Sequence, residues 1–277
     1  MDLKTLVDTP PWDWPEDAGD LLLETLNDSQ ACGSDRLIAA ELAGDSPIMN
    51  DELAKALLAI VGTRDETDEL RAQAAISLGP VLEQSDLDGF DDPDDLPITE
   101  QTFHTIQELL HKLYFDETNS KELRRRILEA AVRAPQDWQT SAVGAAYSSG
   151  DRDWMLTAVF AMSRVPGFDR QILEALESTD PEIHIEAVNA AGVRELNAAW
   201  PHVPSLVESS STPKLLLLAA IEAVGNIRPR EAAEILANLA SSPDEEIAEV
   251  ASETISMAQA MSGEIDESLS DDGEWIN

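Results

Sequence analysis

The chain has 277 residues, 43% of them hydrophobic but only 5% aromatic, and a formal net charge of −37. That apolar content can bury the core of one elongated domain or two compact ones. No apolar stretch approaches the ~20 residues needed to cross a bilayer, and so acidic a chain lacks the basic footprint that nucleic acid or an anionic membrane requires.

The first segment, residues 1–30, reads as an N-terminal cap. Met1 to Asp8 holds one lysine and no apolar run, so no secretion signal is expected. Pro10-Pro11-Trp12-Asp13-Trp14-Pro15 follows, then a helical stretch from Asp17 to Leu26. A stack of repeats needs a polar end, and the tryptophans are expected to pack on the first repeat. Cys32 is the only cysteine. It can form no intrachain disulfide, is expected to be a structural thiol, and fits a cytoplasmic location.

From residue 31 the chain repeats. Ala187-Val-Asn-Ala-Ala-Gly192 has relatives beginning at residues 39, 74, 127, 158, 220 and 251. Ile183, Ala187, Ala190 and Ala191 are spaced i, i+4, i+7, i+8, one face of a helix, and the small residues admit a close neighbour. Ser120, Asp151, Asp180 and Asp244 each stand seven residues before such an anchor, where a side-chain oxygen can cap a helix. A second amphipathic segment follows each anchor but the last: Asn50 to Val61, Thr99 to Tyr114, Gln136 to Tyr147, Phe168 to Glu177, Asn197 to Glu208 and Arg230 to Ala240. The unit is a helix pair that cannot bury its apolar face alone.

The spacing breaks once, after the second anchor, where residues 83–98 form an acidic insertion. Residues 84–95 fit an EF-hand loop at Asp86, Asp88, Gly89 and Asp92. They fail at Gln84 and Asp95, where the motif wants Asp and a bidentate Glu, so a solvated acidic loop is expected. Residues 263–277 read as a disordered acidic tail, although Trp275-Ile276 is the kind of pair a recognition motif uses.

Asp180-Pro-Glu-Ile183 followed by Ala187 to Gly192, and Asp68-Glu-Leu-Arg71 followed by Ala74-Ala-Ile-Ser-Leu-Gly79, resemble HEAT-like repeats in the short form shared with phycobilisome-lyase-type proteins. The resemblance implies an all-α fold: a right-handed α-α superhelix, an armadillo/HEAT-like solenoid of about seven helix pairs over residues 31–262. The arginine that often follows the family's turn stands at Arg36, Arg71 and Arg124, and is replaced by Met155, His184, Leu217 and Ala248.

Phosphate-binding, nucleophile-elbow and metalloprotease motifs are all missing from the sequence. His104, Glu108 and His111 share one helix face and are the one weak candidate set for a metal; neither a metal nor a cofactor is expected. Acid is unevenly spread: residues 1–100 carry 25 acids against 5 bases, and residues 241–277 carry 11 against none. The nearly balanced middle holds Arg124, Arg125, Arg126, Arg133, Arg152, Arg164 and Arg170, with Trp138 and Trp154 among them. Arginine and tryptophan are enriched at interface hot spots. Trp138, Trp154, Arg170 and Arg230 are therefore the candidate partner-binding residues, and the partner is expected to be a protein or peptide of acidic or aromatic character.

The expectation is a monomeric, non-catalytic scaffolding or protein-interaction module. The resemblance also implies a chromophore-lyase-like accessory enzyme as an alternative. A repeat protein adapted to high salt is another, although acid spread over the whole surface would then be expected. A helical-repeat DNA glycosylase would need a basic groove, which the charge opposes.

Overall fold

The computed structural model describes residues 3–44, 48–91 and 96–271, and these form helices and turns with no strand among them. In chain order the helices are α1 (Leu3–Val7), α2 (Ala18–Asn27), α3 (Gly33–Leu42), α4 (Asp51–Gly62), α5 (Asp68–Ser77), α6 (Gly79–Asp88), α7 (Glu100–Phe115) and α8 (Lys121–Ala131). They continue as α9 (Asp137–Tyr147), α10 (Arg152–Met162), α11 (Asp169–Ala175), α12 (Pro181–Val193), α13 (Val203–Glu208), α14 (Lys214–Ile227), α15 (Pro229–Leu236) and α16 (Glu245–Asp271). Every anchor lies on a first helix or its end (α3, α5, α8, α10, α12, α14, α16), and the segment after each anchor but the last supplies a second helix (α4, α7, α9, α11, α13, α15). This is the α-α solenoid plan. The chain divides into two units, Met1–Ala142 and Val143–Asn277.

In the first unit α3 packs on α5 and α5 on α8, while α4 packs on α5 and α7, and α7 on α8. In the second, α10, α12, α14 and α16 pack in succession, with α11 on α12, α13 on α14, and α15 on both α14 and α16. Five of the first helices start at a side-chain cap, whereas α3 and α14 have none. The Ser120 hydroxyl accepts the Leu123 N–H, and Asp151 accepts the N–H groups of Asp153 and Trp154. Asp180 accepts from Glu182 and Ile183, and Asp244 from Ile247. Thr67 does the same for α5 through Leu70. Each such cap satisfies a donor the helix cannot, and losing one costs about 1 kcal/mol.

The anchors that end in glycine pack by one rule in both units. That glycine faces the fourth residue of the next anchor. A β-carbon on Gly44 would lie 3.1 Å from the Ser77 Cα, and one on Gly192 3.0 Å from the Ala223 Cα. Gly225 also faces Thr254, but there the atom met is the side-chain Cγ2 rather than backbone. Glycine is therefore used for backbone approach, and Ala187, Ala190, Ala191, Ala219, Ala220 and Ala223 are buried around it.

The fastening differs between units. In the first, Arg36, Arg71 and Arg124 are each the fourth residue of a first helix. Their Nε atoms donate to the carbonyls of Leu26, Val61 and Tyr114, each ten residues back, at 3.3, 3.0 and 2.8 Å. Those carbonyls belong to the penultimate residues of α2, α4 and α7, where a helix has no internal donor left for them. Two of the arginines also reach forward. Arg36 makes a two-pronged pair with Glu66, at 2.7 and 2.8 Å, and Arg71 donates to Asn119 Oδ1 at 2.9 Å.

Three expectations need correcting. The acidic insertion is not a loop from residue 83: α6 runs to Asp88 because it buries Val81, Leu82 and Ser85, and Glu83 pairs with Arg133 at 2.6 Å. The chain leaves it through Gly89, whose φ of 69° suits glycine. Residues 92–95 lie outside the described residues, so the loop's cation binding is left at the sequence level. Trp14 is tied into the cap, its indole N–H donating to the Leu6 and Thr9 carbonyls. Trp12, on the 3₁₀ turn Pro11–Asp13, is instead 79% exposed. Finally, α16 continues to Asp271, beyond the expected start of the tail at 263, and residues 272–277, with Trp275, lie outside the described residues.

Candidate partner-binding surface

The last turn of α7 and the first turn of α9 build an aromatic cluster in the first unit. His111, Tyr114 and Phe115 fall at i, i+3 and i+4, so one helix face presents all three. Trp138 meets them from α9. Its ring lies 5.2 Å from His111 in a stacked arrangement, 5.1 Å from Tyr114 and 5.7 Å from Phe115. The indole N–H donates to Gln136 Oε1 at 2.7 Å, which fixes the ring from its polar end.

Burial grades across the cluster. Tyr114 is buried, Trp138 is half-buried, and Phe115 remains 52% exposed. Burial raises the Tyr114 pKa, which the nearby Arg124 partly opposes. The Arg124 guanidinium lies over the Tyr114 ring at 5.5 Å while its Nε holds the Tyr114 carbonyl. The arginine that fastens the repeat thus also fixes the turn that carries the aromatics.

The other candidates are elsewhere. Trp154 is half-buried on α10 of the second unit. Arg170, on α11, has an 80% exposed side chain with Glu174 3.5 Å away. Arg230 is exposed in the first turn of α15. The three stand on different helices of that unit. The remaining arginines of the middle are largely engaged with local acids: Arg125 and Arg126 with Glu122 and Glu129, and Arg152 with Asp180 and Glu182.

The histidines do not assemble as the metal reading requires. His111 is committed to Trp138, and His104 sits beside Gln107 and Glu100. Among the described residues no three His, Cys, Asp or Glu side chains are placed to hold a metal ion. Cys32 is exposed at the start of α3 rather than buried, and its pKa is lowered chiefly by the hydrogen bond with the Ser34 hydroxyl.

The sequence picks out Trp138 but not Tyr114 or Phe115, and offers His111 only as part of a weak metal candidate set. The signal was there in the His111, Tyr114, Phe115 spacing. Nor does the sequence pick out Trp200, whose ring lies under the Arg228 guanidinium at 4.6 Å. No helix among the described residues is long and apolar enough to cross a membrane.

No family model matches the chain, and no curated protein matches it. Among solved structures it is similar to human deoxyhypusine hydroxylase in complex with glycerol. The identity is 15%, over 93% of this chain and 88% of that one, with a TM-score of 0.42. It is also similar to an engineered protein at 19% identity, over 89% of this chain and 98% of that one, with a TM-score of 0.34. Likenesses this distant concern the fold alone. They do correct one expectation. The first neighbour is an enzyme, which overturns the expectation of a non-catalytic chain.

Proposed function

We propose that the chain is a helical-repeat module that docks another protein or peptide, and that the docking surface centres on Phe115 and Trp138. The observation that carries this reading is Phe115, left 52% exposed on a platform of three other aromatic rings. An incoming aromatic side chain gains about 0.5–1.5 kcal/mol from each well-placed ring beyond its area burial. Arg124 beneath the platform, and the low acid excess of residues 101–240, favour an acidic segment carrying an aromatic side chain. Exposed Arg170 and Arg230 favour the same charge on the second unit. The proposed module works as a monomer in the cytoplasm, a compartment that the single cysteine fits.

The test is fluorescence anisotropy with a fluorescein-labelled peptide rich in glutamate around one tryptophan and one phenylalanine. Phe115→Ser and Trp138→Ala are expected to weaken binding at least tenfold. Thermal melts confirm folding; Phe115 is exposed enough for its variant to keep the native stability. Full affinity in folded Phe115→Ser would exclude this surface.

A further inference from the structure

The second unit carries an apolar groove that the docking reading above does not use. It lies between α14 and α16, with a volume of about 250 Å³. Gly225 of α14 and Val250, Met257 and Met261 of α16 form its apolar lining, and Glu222 and Glu253 flank it. Val250, Thr254, Met257 and Met261 fall at i, i+4, i+7 and i+11, so they share one face of α16. Met257 is 66% exposed and Met261 38%, which leaves flexible apolar side chains in water at the mouth of the groove.

We infer that this groove holds an amphipathic helix of a partner protein, with a basic polar face. A small-molecule pocket typically runs to ~300–1,000 Å³, larger than this groove, whereas anchor side chains of a helix at i, i+3 or i+4, and i+7 fit its shape. Methionines suit such a role because they repack around different anchors. Charge selects the partner. Glu222 and Glu253 stand at the rim, and residues 241–277 carry 11 acids with no lysine or arginine. A second copy of this chain, at −37, would bring like charge to like. An anionic lipid surface is repelled for the same reason.

The experiment uses the full chain with 13C-methyl-labelled methionine and an 18-residue helical peptide of leucine and lysine, leucines at i, i+3 or i+4, and i+7. The Met257 and Met261 methyl resonances are expected to shift, while those of buried Met49 and Met162 stay in place. The Met257→Gln/Met261→Gln double variant is expected to lose at least tenfold in affinity, and Glu222→Lys/Glu253→Lys severalfold. A matched leucine–glutamate peptide is expected not to bind, and Phe115→Ser to change nothing. Unmoved Met257 and Met261 signals, or full affinity in the methionine double variant, would overturn the inference by showing attraction through charge alone. Equal binding of the leucine–glutamate peptide would overturn it too.

Discussion

In residues 1–142 the fourth position of α3, α5 and α8 is an arginine; in residues 143–277 the same position of α10, α12, α14 and α16 is Met155, His184, Leu217 or Ala248. The first unit fastens successive helices by sending a guanidinium to a penultimate carbonyl of the previous helix. The second unit works at its surface. Arg152, the first residue of α10, reaches Asp180 at 2.7 Å and Glu182 at the start of α12, and Lys214 does the same from α14 to Asp244 and Glu246 at 2.7 Å each. The anchor glycines and alanines are common to both. What defines the repeat is the small-residue approach between first helices, whereas the polar fastening is exchangeable. The exchange bears on the proposed docking surface, because Arg124, the half-buried arginine of the third first helix, also holds the turn that presents Tyr114 and Phe115.

The sharpest way to break this comparison is Arg71→Leu. The change leaves the Val61 carbonyl and Asn119 Oδ1 without that donor inside the protein, so a loss of about 3 kcal/mol in urea unfolding is expected. Met155→Leu, at the equivalent position of the second unit, is expected to cost less than about 1.5 kcal/mol. Equal losses would erase the distinction between the units.

The shared part of the plan is tested next. Gly192→Val and Gly44→Val each force a side chain against the next first helix. Both are expected to cost about 1–3 kcal/mol by thermal or urea unfolding. A free substitution at either glycine would show that the close approach is not required there.

The smallest effect belongs to the surface pairs. Arg152→Ala and Lys214→Ala together are expected to lower the melting temperature slightly in dilute buffer and not at all in molar salt. Their acid dependence has a definite sign. The hydrogen bond from Arg152 depresses the Asp180 pKa, and that from Lys214 depresses the Asp244 pKa. Each contribution is therefore complete above an unfolded aspartate value of about 3.9 and is lost as the pH falls through the lower folded value. Melts of wild type and the double variant should differ above about pH 4 and converge below it.

Much of the fold was legible in the sequence because its rules are local. A cap seven residues before an anchor, small residues at helical offsets and a second apolar helix all follow from neighbouring positions. The site was less legible because it depends on what meets across helices. Trp138 could be picked as a hot-spot residue type, but that His111 stacks on it rather than on a metal is a fact of how α7 meets α9. The arginines show both sides. Their recurrence at position four was visible at Arg36, Arg71 and Arg124, whereas the common ten-residue reach to a carbonyl appears only once the helices are in place. The insertion misled because acidic composition was read as loop, while Val81, Leu82 and Ser85 provide a face that keeps α6 helical to Asp88.

The central claim, a docking surface at the end of α7 and the start of α9, is tested most directly by fluorine NMR. The full chain is labelled with 5-fluorotryptophan, assigned with Trp138→Phe, and titrated with the acidic aromatic peptide. The Trp138 resonance is predicted to shift with the peptide while those of Trp154 and Trp200 stay fixed. A saturable shift at Trp154 or Trp200 with Trp138 unmoved would contradict it.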